Sequence, residues 1–388
     1  MMYQTLRTLS HSGHPQTVIA LALVGVLCAG LVSLPHKAFG NGFTIMSEGR
    51  EIETGKKLDD EIGSKMGFFP EPKLQAYVSE VVRRLVRAGS PRSFEYRVKI
   101  VDIPDTNAFA TVGGYVYITR GMLAELNSET ELAGVMAHEI SHISHRHVAK
   151  QQTRALAYQI IGLGAMALGA TLGNADNNLG QAPLGISAAL FTILRSYSQE
   201  AELEADESGL LMMAQAGYDP RGLVTFLRSL RVRERLTGLG YHGMLATHPE
   251  TAERIAKAET MAQLLASQQS LRPVAEDSYK AHLVGLPYGS RHDRLRLALY
   301  QVEPGDTIAT IREKVMAPDE KTWEVTRLNR LRSNDSLQPG MLLKIVVPDD
   351  RAVVLPQRRL DVSEDRRVPP PPPPVRPNQR SRVPYPKN

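Results

Sequence analysis

Residues 138–147 read HEISHISHRH. Imidazoles bind metals and a carboxylate can take up a proton, so this stretch can support metal-assisted hydrolysis if its side chains converge. On a helix, residues four apart share a face, with about 5–6 Å between their Cβ atoms. His138 and His142 can therefore reach one Zn2+ at about 2.0–2.1 Å, with Glu139 beside them to take a proton from water that the metal acidifies. His145 faces roughly the same way but lies about 10 Å along the axis from His138. One ion cannot bond all three histidines.

A third ligand must come from elsewhere. The extended motif H-E-x-x-H-x-x-G-x-x-H needs Gly at 145 and His at 148, where this chain has His145 and Val148, so that class is excluded. The other solution is a carboxylate from a second helix, and YSQEAELEADESGLLMMAQAG (197–217) supplies candidates. Glu202 and Asp206 are four apart: the first could bind the metal and the second could orient a ligand imidazole. Glu200, Glu204 and Glu207 are rivals, since a charge run on a helix is usually a solvated face. Spacing leaves the choice open.

The positioning elements are legible in outline. ELAGVMAHEISHI is apolar around the motif, as a buried helix requires, and Ser128 with Glu131 fits a capping box that starts a helix running to about Gln152. A second helix is expected over about Tyr197–Ala216. Upstream, EIETGKKLDDEIGSKMG and PKLQAYVSEVVRRLVRAG show helical spacing, whereas EYRVKIVDI (95–103) and GGYVYIT (113–119) alternate as strands do. Between the two histidine- and glutamate-bearing helices lies ALAYQIIGLGAMALGATL (155–172), about long enough to span a bilayer. Its glycines and Gln159 favour a buried helical hairpin instead.

The 388 residues carry 46 Lys and Arg against 41 Asp and Glu, a formal net charge of +5. No dense basic stripe accompanies this excess, which argues against nucleic acid as a partner. Arg7, the uncharged run Thr17–Leu34, Pro35 and the small residues Ala38 and Gly40 form a secretory signal pattern over 1–40, expected to be cleaved. An uncleaved anchor, and with it membrane association, is the alternative. Cys28, the only cysteine, lies inside that run, and bulky Leu27 before it argues against lipid attachment. The mature chain would need no disulfide. The expected organisation is a main domain over 41–270, a linker with one short packed piece over 271–298, a small unit over 299–348, and a basic tail over 349–388. The tail contains six consecutive prolines (369–374) and is expected to be disordered or polyproline II.

Taken together, NAFATVGGYVYITRGML (107–123), ETELAGVMAHEISHISHRH (129–147), EAELEADESG (200–209), AGYDP (216–220) and THPETAERI (247–255) resemble, in order, the zinc metallopeptidase family that includes the Ste-type CaaX endopeptidase, HtpX and BepA. The resemblance implies a mainly helical α+β fold, a gluzincin peptidase domain with a small active-site sheet. It places the third ligand on Glu202 and the acid behind a ligand histidine on Asp206. His147 matches a histidine that ends the active-site helix without binding metal, and His145 has no counterpart. Gly113–Thr119 resembles the active-site edge strand, which would offer free main-chain groups to an extended peptide. His248 falls at a position near the metal, where it would stabilise an oxyanion or bind zinc and keep the enzyme latent. Two departures stand out. Val112-Gly113-Gly114 replaces Pro-Gly-Gly, and Ser198-Gln199 replaces Ser-Arg.

Residues 300–348, with VEPGDTIATI, LNRL and LQPGMLLKI in order, resemble a LysM module of βααβ form. Such modules bind glycans containing N-acetylglucosamine, which here implies peptidoglycan, with contacts at Gly305, Asp306 and Thr307. Trp323 is expected in the core. The combined expectation is an exported, periplasmic zinc endopeptidase with one Zn2+ per chain, acting on misfolded or extended envelope proteins and tethered near the wall. Two rivals are a latent protease acting as a chaperone-like or wall-binding factor, and a hydrolase of peptidoglycan crosslinks.

Overall fold

The structure is a computed structural model that describes residues 44–350 except 45, 90, 154–196, 238–242, 250, 269–270, 272–275, 316–321 and 332–335. The expected signal segment, the Ala155–Leu172 stretch, the proline-rich tail and the side chain of Trp323 lie outside the described residues. Among the described residues, no helix is long and apolar enough to cross a membrane.

The first elements among the described residues are two helices, α1 (Glu48–Lys65) and α2 (Pro72–Gly89). A three-stranded sheet follows: β1 (Arg97–Val101), β2 (Ala108–Ala110) and β3 (Tyr115–Thr119). The short helix α3 (Arg120–Glu125) leads into α4 (Glu129–Ser144), which carries the HExxH residues. Ser128 caps α4 by accepting from the Glu131 amide (3.2 Å), and Glu131 accepts in turn from the Asn127 amide (2.9 Å). The helix is buried from Glu129 to Ile143, which explains the apolar flanks of the motif.

α5 (Gln199–Gln215), α6 (Arg221–Thr237), the one-turn α7 (Met244–Thr247) and α8 (Ala252–Ser267) complete the helical layer. α4 packs against α2, α5 and α6. Gly209 permits the close approach of α5: a Cβ there would lie 3.2 Å from the His138 amide nitrogen. One face of the sheet (Val98, Ile100, Ala108, Ala110, Val116, Ile118) joins these helices in the main core. The other face (Val101, Phe109, Tyr115, Tyr117) packs on Leu58 and Ile62 of α1.

The strand order is β1-β3-β2, parallel between β1 and β3 and antiparallel between β3 and β2. This corrects the edge-strand expectation for Gly113–Thr119. β3 is central because the chain returns from β2 through a 3-10 turn at Val112–Gly114 and inserts beside β1. The two edges differ. Gln75 closes β1, donating to the Val98 carbonyl (2.8 Å) and accepting from the Ile100 amide (3.1 Å). On β2, Asn107 and Thr111 bond across to Thr119 and Tyr115. The alternation of antiparallel pairing then turns the main-chain groups of Ala108 and Ala110 away from β3, toward an outer edge at which both residues are buried.

The C-terminal part is built onto the helical layer. Residues 271–298, expected as a linker, carry α9 (Glu276–His282), β4 (Pro287–Tyr288) and the start of β5 (Leu295–Gln301). Tyr279 of α9 is fully buried and donates to the Leu123 carbonyl (2.7 Å). The boundary drawn at 298/299 therefore falls inside a strand. After β5 come α10 (Ile308–Val315), α11 (Thr322–Leu328) and β6 (Leu342–Pro348), in a sheet of order β4-β5-β6.

β5 and β6 alternate between two cores. Ala298, Leu343, Ile345 and Val347 pack with Ile311 and Val325 of the module's own helices. Leu297 and its partner Val346 join the peptidase-side core, as does Leu328. Lys344, paired with Leu299 on that same face, is fully buried and donates to the carbonyls of Ala124 (2.6 Å) and Leu126 (2.8 Å) at the end of α3. Arg330 pairs with both oxygens of Glu131, and Arg327 pairs with Glu125.

Candidate metal centre

Three elements converge on one point. α4 presents His138, Glu139 and His142, α5 presents Glu202, and the loop after α7 presents His248. All five side chains are buried. His138 Nε2 lies 3.1 Å from His142 Nε2 and 3.5 Å from Glu202 Oε2. His142 Nε2 lies 3.5 Å from Glu202 Oε1. His248 Nδ1 is 3.2 Å from His138 Nε2 and 2.9 Å from Glu202 Oε1. One donor atom from each of His138, His142, Glu202 and His248 falls within 4.8 Å of the others.

The cluster suits a metal ion. A tetrahedral ion with ligands at about 2.0–2.1 Å holds its donor atoms about 3.3 Å apart, close to the separations above. A second observation is Glu139, whose two oxygens are fully buried without a hydrogen-bond partner. His248 Nε2 lies 3.4 Å from Glu139 Oε1. Burial raises the Glu139 carboxyl above the usual range, against the pull of His248 and His138.

The groups behind the donors set their charge. His138 Nδ1 sits 2.9 Å from Asp206 Oδ1. Arg254, buried on α8, grips both Asp206 oxygens (2.7 and 2.8 Å) and reaches Glu202 (2.6 Å). Burial by itself would push the His138 imidazole down, but Asp206 and Glu202 outweigh it and raise its pKa to about 10. Burial likewise opposes ionisation of Glu202, yet His248 and Arg254 hold its carboxyl well below the usual range. Asp206 is held down chiefly by Arg254 against its own burial. His142 goes the other way: burial and neighbouring His138 keep it well below the ordinary imidazole range.

Of the rivals of Glu202, Glu200 and Glu207 are exposed and Glu204 points elsewhere. Glu204 meets His147 Nε2 (2.9 Å) and His145 Nδ1 (3.0 Å), and His145 Nε2 lies 2.7 Å from Ser208 Oγ. His147 Nδ1 in turn lies 2.9 Å from His142 Nδ1. Gln199, which stands where the resemblance implies arginine, donates to Glu253 (2.6 Å). Sequence reasoning missed two residues. Tyr197 stacks on His142 with centroids 4.0 Å apart. Arg254, within THPETAERI, is the other: the need to balance the buried acids Glu202 and Asp206 is the signal that points to it. A groove of about 900 Å3 between β1 and α2, lined by Phe68, Phe69, Tyr96 and Val98, contains none of the donor residues.

A histidine pair one turn apart, a glutamate from a neighbouring helix and an adjacent free carboxylate make up the donor set of a metal-dependent hydrolase. The family model for Peptidase family M48 matches residues 71–262, and that for the LysM domain matches residues 300–346. The chain is 29% identical over 294 residues to the beta-barrel assembly-enhancing protease of Escherichia coli (strain K12), covering 72% of this chain and 58% of that protein. It is 32% identical over 206 residues to the mitochondrial metalloendopeptidase OMA1 of Schizosaccharomyces pombe, covering 53% and 57%. It is 32% identical over 218 residues to a protease HtpX homolog of Burkholderia thailandensis, covering 47% and 73%. The chain belongs to peptidase family M48 and carries a LysM domain. It spans 58% of the length of the beta-barrel assembly-enhancing protease it matches.

Proposed function

We propose that the chain is a zinc-dependent metalloendopeptidase, with one Zn2+ per chain, that is exported to the periplasm and cleaves extended or misfolded envelope proteins. The observation that carries this reading is the buried convergence of His138, His142 and Glu202 beside an unpartnered Glu139. The Nε2 atoms of the two histidines and the Glu202 carboxylate would hold the ion. Zinc, when bound, supplies Lewis acidity at the scissile carbonyl and lowers the pKa of water. Glu139 takes the proton of the attacking water and hands it to the leaving amine, and its raised proton affinity suits both halves of that task. Asp206, held by Arg254, orients His138. The outer edge of β2, buried in this structure, would align an extended peptide through main-chain hydrogen bonds once exposed, which selects for extension rather than sequence. His248, through Nε2, stabilises the oxyanion.

The name of the beta-barrel assembly-enhancing relatives supports envelope proteins as substrates. The N-terminal pattern supports export, with membrane association if the run Thr17–Leu34 is retained. The LysM match supports tethering to peptidoglycan, with Gly305, Asp306 and Thr307 as contacts on the turn after β5. Gly305 and Thr307 are exposed there, and Asp306 is braced by Tyr300 (2.6 Å) and Lys314 (2.8 Å).

A second reading is favoured by one distance. His248 Nδ1 lies as close to the other donors as they lie to one another. As a fourth ligand it would occupy the place a substrate carbonyl needs and leave the protease latent, acting mainly as a chaperone-like or wall-binding factor. The test measures zinc stoichiometry and the cleavage of casein and of purified peptidoglycan with wild type, Glu139→Gln and His248→Ala. Zinc-dependent casein cleavage lost in Glu139→Gln is expected. An inert wild type with an active His248→Ala favours latency, cleavage of peptidoglycan instead of casein favours a wall hydrolase, and a wild type that never binds zinc ends both metal readings.

A further inference from the structure

The ligand histidines are backed differently. His138 has a carboxylate behind it, whereas His142 has another imidazole. We propose that His147 and Glu204 are positioning residues that hold His142 in the one tautomer able to present Nε2 to the metal. This rests on the metal centre proposed above.

The geometry allows one direction of hydrogen bonding. His142 Nδ1 and His147 Nδ1 are 2.9 Å apart, so one of the two nitrogens must carry the hydrogen. If His142 offers the Nε2 lone pair toward His138 and Glu202, its hydrogen sits on Nδ1 and is donated to His147. His147 must then carry its own hydrogen on Nε2, which points at Glu204 Oε2 at 2.9 Å. An ionised carboxylate only accepts, so the chain His142 to His147 to Glu204 is closed at its outer end. His145 and Ser208 brace that end from the other side. The reverse order would leave His142 with a hydrogen on Nε2, aimed into the cluster.

Helical spacing does not produce this contact. Residues five apart on a helix do not share a face. α4 ends at Ser144 with His145 as its C-cap, and Arg146 adopts a left-handed conformation (φ 59°) before helix resumes at His147. That conformation is unfavourable for a non-glycine residue and needs support from its surroundings. The Arg146 guanidinium is anchored by the Met46 carbonyl and by Glu51, which holds the turn that brings His147 back beneath His142.

The test uses the full chain and zinc itself. Affinity is measured by competition with a chelator, and the His142 tautomer is read from ring-nitrogen NMR shifts of the zinc-loaded and metal-free protein. His147→Ala is expected to weaken zinc about 10–100-fold. His147→Gln is expected to restore most of that loss, because an amide carbonyl can also accept from Nδ1–H. Glu204→Gln is expected to weaken zinc by a smaller factor. A general structural role for His147 would neither change the tautomer nor be rescued by glutamine. Should His147→Ala fail to fold, the Glu204→Gln affinity and the wild-type tautomer decide the matter. The inference is overturned if wild type binds zinc while the variants bind it equally tightly, or if His142 carries its hydrogen on Nε2. A wild type that binds no zinc overturns the metal centre itself, a separate outcome.

Discussion

One helix, α4, carries two buried polar clusters that are treated oppositely. At its N-terminal end, Glu131 meets Arg330 and the Asn127 amide, while nearby Lys344 donates to two carbonyls. Two turns further on, His138, Glu139 and His142 face Glu202 and His248, and both Glu139 oxygens lack a partner. Buried polar groups without partners are costly, so a fold tolerates them where they serve chemistry and pairs them where they serve packing. In the first cluster the Glu131 carboxylate is fully paired and only Arg330 Nε lacks a partner, whereas both oxygens of Glu139 lack one, a contrast that supports a docked structural layer at the first and the proposed reactive site at the second.

The sharpest attempt to break this contrast is deletion of residues 287–388. A module on a loose tether would leave the peptidase part unchanged. Docked as described, its loss uncovers the apolar surface that Leu297, Leu328 and Val346 seal. Each such side chain, fully buried, is worth about 1.5–3 kcal/mol, so a loss of roughly 5 kcal/mol is expected. Thermal unfolding and soluble yield measure it, and an unchanged melting temperature would refute docking.

Glu139→Gln probes the other cluster. Removing a general acid–base group should cut turnover by about 10²–10⁴-fold. Stability should hold or rise, because an unpartnered buried carboxylate is removed. Peptide hydrolysis and melting temperature are compared on the same preparation, and retained activity would dismiss the base assignment.

Arg330→Ala should act in the opposite sense, lowering stability by about 1–3 kcal/mol with zinc affinity and turnover nearly intact. A large effect on turnover instead would mean that the docking face and the reactive site are coupled through α4.

The last test reads a slope with pH. Burial pushes the Lys344 ammonium down to about 7, with Glu125 and Glu131 opposing the shift and Arg330 and Lys280 adding to it. An unfolded lysine keeps its proton to about 10.5. Between these values the unfolded chain binds more protons, so this residue makes stability rise as pH climbs from about 7 to about 10.5, with no further change below about 7. Lys344→Met should flatten that part of the pH profile of unfolding. An identical slope in the variant would place its origin elsewhere.

Local patterns carried much of this in the sequence. The spacing of His138, Glu139 and His142, the Ser128–Glu131 cap and the alternation in 97–101 and 115–119 all depend on neighbours a few residues apart, and helix and strand periods report them directly. Spacing could not choose among the acids of EAELEAD, because Glu202 and its rivals differ only in which way α5 is rotated against α4. Family resemblance named Glu202, and the geometry adds why the position works: Gly209 brings the helices close and Arg254 balances the two acids.

What tertiary structure alone decided is of another kind. Strand order is set by how the chain returns through Val112–Gly114, and so the strand read as an edge became the centre of its sheet. A helical period cannot foresee that a left-handed Arg146 folds His147 back beneath His142. Nor can composition show that β6 is buried on both faces, one of them against a different domain, with a lysine serving as the cap of α3. Sequence determined which chemistry the chain could perform, because that follows from side-chain type and near-neighbour spacing. Which groups meet, and which remain without a partner, depends on contacts between residues far apart in the chain, and these exist only once the fold has closed.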